Sequence, residues 1–277
     1  MKKSFLLLCT IMLCATATVA QTNRSLLATG NSATNLRPIP VAGLSAMEIE
    51  RIITEINPYT LYRKGSTVEY CFEQGGRQTR LLGAIGGPTY FQFTVVEEAV
   101  ENGLLVAYIK SDFFNKKYKP SKGLPKSFKE QLLKIEIDTT GTYFQTYDIA
   151  RDIYHVIEKQ GYAMAITKEL KKGDDVICGT VVNKCKPTMG KNFHHTIKYS
   201  DFKVVSEEQI TTPAGTFKCL KLSGFVDEDV DSKNAYVHFN YSKCNMWICK
   251  GVGVVKYEVC ENGYSPWILY LNKADIK

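Results

Sequence analysis

Hydrophobic and polar positions follow two periods along this chain. Ile49, Ile52, Ile53 and Ile56 recur at helical spacing. Ser45 and Glu48 ahead of them form a capping-box pattern, in which the serine hydroxyl accepts from an orphan amide and the glutamate reaches back. Asn57-Pro58 ends the segment, because the residue before proline is pushed out of the helical region. Beyond it the period becomes two. Thr67 to Phe72 reads as a strand, and Phe91, Phe93 and Val95 share one face of a second. Asn102-Gly103 supplies the positive φ angles of a tight hairpin, from which Leu104 to Ile109 returns. Ile135 and Ile137 lead to Thr140-Gly141 and a return through Tyr143. Ile149, Ile153, Val156 and Ile157 predict a second helix, stopped by Gly161. Residues 162–167, 197–205, 208–212, 216–222, 235–241, 252–259 and 266–271 read as further strands, with another hairpin at Asn262-Gly263.

Strands joined by short turns pair antiparallel. No helix separates successive strands, as a parallel α/β sheet would require. The predicted fold is therefore mainly β: an antiparallel, strongly curved sheet or incomplete barrel with a few short helices. A β-sandwich is the alternative.

The N-terminus does not join this pattern. Lys2 and Lys3 precede an apolar run from Phe5 to Leu13, and Thr18-Val-Ala20 supplies the small residues that signal peptidase accommodates. The run is shorter than the about 20 residues of a bilayer span. Residues 1–20 are expected to be a cleaved signal peptide, residues 21–43 a flexible lead-in, and residues 44–277 a single mainly β domain. Leu8 and Leu13 precede Cys9 and Cys14, where a lipid-acceptor cysteine needs a small residue. The expectation is an exported protein, periplasmic or extracellular and of the cell envelope, that is not a lipoprotein and has no integral membrane segment after cleavage.

Composition narrows the classes further. The chain has 277 residues, 44% of them hydrophobic, which suits a globular core. Tyr (16) and Phe (13) favour strands. The net charge of +7 is mild, and an exported protein seldom meets nucleic acid, so no nucleic-acid partner is expected. One segment is more basic: Lys110 to Lys134 interleaves lysines with Phe113, Phe114, Tyr118 and Phe128. It reads as a solvated loop, with an anionic surface as the alternative. Of nine cysteines, seven lie beyond the leader. Cys178 with Cys185, and Cys244 with Cys249, are spaced to close short loops. Cys219 and Cys260 lie on strands that read as neighbours. These six are candidate disulfide cysteines, with connectivity open.

Chemistry-bearing motifs are sparse. There is no Gly-x-Ser-x-Gly, Walker loop, dinucleotide fingerprint or His-Glu-x-x-His. Asp227 to Asp231 begins like a calcium loop but has Ser232 and His238 where glycine and glutamate are needed, so it reads as an acidic hairpin loop. His194-His195 reads as a surface pair. No catalytic or metal-binding residue and no cofactor is expected.

Two C-terminal phrases are the most distinctive. Thr212-Pro-Ala-Gly-Thr-Phe217 is a turn feeding a strand, with Pro213 and Gly215 reversing the chain. In Lys250-Gly-Val-Gly-Val-Val-Lys-Tyr-Glu258, Gly251 and Gly253 enter a β-branched run, which marks a bulge or a close backbone crossing. With Asn57-Pro-Tyr59, Gly65, Glu69-Tyr70, Trp247 and the Lys171-Lys-Gly-Asp174 turn, these phrases resemble a family of uncharacterised exported bacterial proteins labelled TapB-like. The resemblance spans roughly residues 57–272. It implies structural roles for Pro213, Gly215, Phe217, Trp247, Gly251 and Gly253, and it carries no activity. The expected role is a non-enzymatic envelope protein holding an apolar or amphipathic small molecule in a curved sheet. The rival is an interaction module for an envelope protein, using sheet edges or the lysine-rich segment. An enzyme with an unrecognised site is a third, less favoured reading.

Overall fold

A computed structural model describes residues 38–40, 43–56, 59, 61–74, 89–121, 132–139, 141–144, 155–166, 170–186, 191–232, 235–260 and 267–277. The described part opens on a short helix, α1 (Ala46–Arg51), which runs into a π turn over Ile52–Ile56. Both halves of the capping box form: the Glu48 amide donates to Ser45 Oγ, and the Ser45 amide donates to the Glu48 carboxylate at 2.7 Å. A hydrogen bond from the Ser45 hydroxyl at 2.6 Å, and then the one from its amide, hold the Glu48 carboxyl below the usual carboxylate range. Of this segment Ile52 is the residue sealed into the core, at 1% exposure.

Fourteen strands follow among the described residues: β1 (Thr67–Gln74), β2 (Tyr90–Glu101), β3 (Leu104–Phe114), β4 (Leu132–Ile137), β5 (Thr142–Phe144), β6 (His155–Gly161), β7 (Met164–Ile166), β8 (Ile177–Cys178), β9 (Thr180–Lys186), β10 (Phe193–Thr212), β11 (Gly215–Ser232), β12 (Ala235–Cys249), β13 (Gly253–Cys260) and β14 (Trp267–Asp275). They form one antiparallel sheet in the order β6-β9-β10-β11-β12-β13-β14-β1-β2-β3-β4-β5-β7-β8. The fold is mainly β, a single sheet that is not closed. It matches the curved-sheet expectation and sets the sandwich aside. The C-terminal strand β14 pairs with β1, Thr67 opposite Asp275, which ties the two ends of the domain together.

Curvature comes from bulges. β10 slips register against β11 between Ser200 and Lys203 and again between Val204 and Ser206, and Asp201 takes a φ of 55°. The extra residue in such a bulge bends the strand. β10 consequently has two neighbours along one edge. β9 covers residues 193–198. The segment leading into it covers residues 199–204: Val176 donates to Phe202, Val204 to Asp174 and Tyr199 to Gly179, at 2.8–3.0 Å. Strands far apart in the sheet order thus meet over one concave face, which carries the core.

The hairpins follow the sequence. Asn102 and Gly103, both at positive φ, reverse the chain between Glu101 and Leu104. Pro213 and Ala214 link Thr212 to Gly215, whose φ of 137° no side-chain-bearing residue adopts comfortably. Three expectations are corrected. The stretch read as the end of a second helix, Val156 and Ile157, lies in strand β6, while Ile149 and Ile153 fall outside the described residues. Segments read as separate strands at 197–205 and 208–212 are one continuous β10, because bulges break the alternation without ending the ladder. Asp227 to Asp231 is not a hairpin loop but part of β11, so no loop wraps an ion there.

No disulfide joins any of the seven described cysteines. Cys178 and Cys185 lie along one extended stretch, roughly 20 Å apart at about 3.3 Å per residue. Cys244 and Cys249 sit on opposite faces of β12. Cys219 and Cys260 are separated by the intervening β12. The spacing-based pairings therefore fail on topology. The topology instead places Cys219 against Cys249. Leu220 pairs with Ile248, and one step on the two thiols are in hydrogen-bond contact. Burial, and then Cys249 itself, push the Cys219 thiol up to about 12. Oxidised glutathione is expected to convert this pair to one bridge, slowly at neutral pH, releasing two equivalents of reduced glutathione. Peptide mapping without reductant checks this. A map linking Cys178 to Cys185, or leaving Cys219 and Cys249 as thiols, would contradict it.

Candidate functional site

A cavity of about 90 Å³ opens on the concave face. Its wall draws on strands from both halves of the sheet. Val68 and Tyr70 come from β1, Phe93 from β2, Val254 and Tyr257 from β13, and Leu269 from β14. Alternation in these strands turns every second, apolar residue inward. Tyr70 spans the interior and donates to the Val254 carbonyl at 2.7 Å. Burial alone pushes its phenol far above the ordinary tyrosine range. This hydrogen bond holds the ring in place and leaves its apolar face to the cavity. Tyr70 also packs on Phe93, with ring centroids 5.9 Å apart.

Two charges break the apolar lining: Lys134 on β4 and Lys159 on β6. Lys134 bridges Glu136 at 2.8 Å and Glu101 at 3.3 Å. Burial works against its ammonium form, but the hydrogen bond and charge of Glu136 outweigh burial, and its pKa is raised. Lys159 sits at the sheet edge and pairs in register with Asn183.

Next to the cavity the concave face carries a polar row. Asn183 on β9 lies opposite His195 on β10. His195 Nε2 stands 3.3 Å from Glu228 Oε2 on β11. Asn183 is 0% exposed, and His195 and Glu228 are each 4% exposed. His195 is therefore not the surface residue that its dipeptide suggested: His194 faces out and His195 in. Among the described residues, no group of three His, Cys, Asp or Glu side chains is placed to hold a metal.

The motif residues separate into three places. Gly253 lines the cavity with Tyr59, Val254 and Tyr257. Its φ is 92°, and a Cβ there would stand 3.3 Å from the Tyr59 carbonyl, the close crossing that the two glycines marked. Gly251, at φ 74°, makes the turn before it. Pro213, Gly215 and Phe217 lie at the distant tip of the β10–β11 hairpin. Trp247 is on the convex side of β12. So the phrases around Tyr59, Tyr70 and Gly253 converge on one cavity, although more than 180 residues separate the first from the last. The polar row carried no motif and was missed.

An open antiparallel sheet with an apolar concave cavity defines the class. A family model described as DUF3108-like matches residues 98–263, more than half of the chain. The chain belongs to the DUF3108-like family. This replaces the TapB-like group that its phrases resemble. No curated protein matches the chain. Two solved structures share the fold. A putative lipoprotein from Parabacteroides distasonis ATCC 8503 is 13% identical, with a TM-score of 0.57, covering 78% of this chain and 98% of that one. A putative exported protein with a YmcC-like fold from Bacteroides fragilis NCTC 9343 is 12% identical, with a TM-score of 0.54 and the same coverage. The first overturns one expectation. The exclusion of a lipid anchor, read from the residues before Cys9 and Cys14, does not stand beside a lipoprotein among the structural neighbours.

Proposed function

We propose that this chain is a non-enzymatic envelope protein that holds the apolar end of an amphiphilic molecule in its concave face. The carrying observation is the apolar cavity walled by Tyr70, Phe93, Val254 and Leu269. The likeness to an exported protein and a lipoprotein supports the envelope setting. The magnitude limits the ligand. About 90 Å³ is less than the roughly 150 Å³ that accepts a benzene, so the cavity takes the tip of a chain. Burying a group the size of a leucine side chain gives about 1.5–3 kcal/mol. A millimolar complex needs about 4 kcal/mol. The cavity fixes one end of the ligand, and the rest of the affinity must come from contacts beyond it.

The test is uptake of the apolar fluorophore N-decyl dansylamide, whose alkyl end matches the cavity, compared between the parent and Leu269→Trp. The indole fills the cavity, so the variant is expected to lose at least tenfold in probe affinity while keeping a cooperative melt. Equal uptake by both would place the probe elsewhere and remove the reading. No uptake by the parent, with envelope proteins co-purifying through Lys116, Lys117 and Lys119, would favour an interaction module in its place.

A further inference from the structure

The polar row beside the cavity is buried among apolar side chains. Asn183 is flanked along β9 by Val181 and Cys185, and Ile197 lies diagonal to it on β10, all at 0–1% exposure. In this apolar setting neither its Nδ2 nor its Oδ1 has a hydrogen-bond partner among the described residues. Buried amides are almost always satisfied, and one left unpaired at both ends needs an explanation. His195, directly opposite, does not satisfy it: its Nε2 stands 3.3 Å from Glu228 Oε2, and neither of its ring nitrogens bonds Asn183. On the other side stands Lys159, which pairs in register with Asn183 and also lines the cavity. Neighbouring strands are about 4.8 Å apart, so Asn183 lies about one strand spacing beyond the cavity wall.

We infer that Asn183 is the head-group site of the same ligand, and that the head is neutral and both donates and accepts, as a primary amide or a hydroxyl does. This rests on the proposed cavity reading. The chemistry follows from the side chain. The carboxamide offers an N–H and a carbonyl side by side, which an amide or hydroxyl head meets with one acceptor and one donor. A carboxylate head would accept from Nδ2 but leave Oδ1 unmet. An ester would leave Oδ1 unmet as well.

Calorimetric titration with decanamide, decanoate and methyl decanoate tests this. The parent is expected to bind decanamide about tenfold more tightly than methyl decanoate, since the ester leaves a buried acceptor unpaired. Asn183→Leu should level the two by weakening decanamide alone. Should that variant not fold, the Asn183 side-chain NH₂ signals of the parent give the answer. Decanamide should shift them, and methyl decanoate should not. Equal binding of amide and ester by the parent would overturn the head-group site while leaving the cavity reading in place. Preference for decanoate would overturn the neutral head. Failure of all three to bind, together with no uptake of the apolar fluorophore, would instead remove the cavity reading on which the inference rests.

Discussion

Gly224→Ala is expected to lower the melting temperature by about 6–12 °C, an effect far larger than a glycine-to-alanine change in a strand normally has. Ordinarily alanine in place of a strand glycine is neutral or stabilising, because it restricts the unfolded chain. Here the β10 bulge decides otherwise. Between Ser200 and Lys203 the ladder with β11 loses register, and Gly224 faces the bulged pair Asp201 and Phe202. A Cβ on Gly224 would stand 2.3 Å from the Phe202 ring and 2.8 Å from its Cα. Rotating the ring relieves the first contact but not the second. Either the bulge shifts or Phe202, 1% exposed, leaves the core. Losing its packing costs about 3 kcal/mol or more. For a domain of this size that is about 2–4 °C per kcal/mol. The double variant Phe202→Ala/Gly224→Ala should cost less than the two single changes together, because the collision disappears with the ring. A Gly224→Ala melt matching the parent would show that the bulge yields freely and that the glycine is not there for the crossing.

How much of this was legible follows from where each signal resides. A strand with one buried face writes an alternation into the sequence, and Phe91, Phe93 and Val95 announced β2 that way. Hairpin turns need particular residues, and Asn102-Gly103 announced the next. Bulges leave no such mark. They shift the alternation by one, so β10 read as two strands and the acidic stretch of β11 read as a loop. β6 failed for a different reason. Val156 and Ile157, together with Ile149 and Ile153, fall at spacings of three and four, which a helix also satisfies, and only pairing with β9 settles the choice.

The candidate site was half legible. Glycine at a close crossing and aromatics in short phrases pointed to Gly253, Tyr59 and Tyr70, but as fold residues. Their meeting is a product of β14 and β1 pairing across some 200 positions, which no local pattern contains. The polar row shows the opposite case, where the signal existed and was overlooked. Phe193, His195, Ile197 and Tyr199 alternate with His194, Thr196 and Lys198. That alternation assigns His195 to the buried face once β10 is allowed to begin at Phe193.

Trp247→Ala is expected to cost about 3–5 kcal/mol, the range for deleting a buried tryptophan, although this residue lies on the convex side of the sheet. Trp247 is 4% exposed because the convex face builds a cover over it. Lys256 lies 4.4 Å and Lys221 4.9 Å from the indole ring, one on each neighbouring strand. Both lysine stems shield the ring, and both ammonium groups face its π system. Its Nε1–H donates to Glu208 Oε2 at 2.7 Å. That hydrogen bond, then Ser206, and then Lys221 hold the Glu208 carboxyl below the usual carboxylate range. A carboxyl whose folded-state pKa is depressed stabilises the fold above its unfolded pKa, and loses that contribution as pH falls through the folded value. Trp247→Phe separates the parts. It keeps most of the apolar area and removes the N–H donor, so at pH 7 it should cost less than the alanine change, about 1.5–3 kcal/mol for a hydrogen bond to a charged group. As pH falls through its depressed folded-state value, Glu208 becomes protonated in both proteins, and the gap between parent and Trp247→Phe should narrow. The gap between parent and Trp247→Ala should persist at low pH, because packing does not titrate. Thermal melts of the three proteins at pH 7 and pH 3 check this. A parent-to-phenylalanine gap that is constant with pH would show that the indole hydrogen bond is not what holds Glu208 in its charged form.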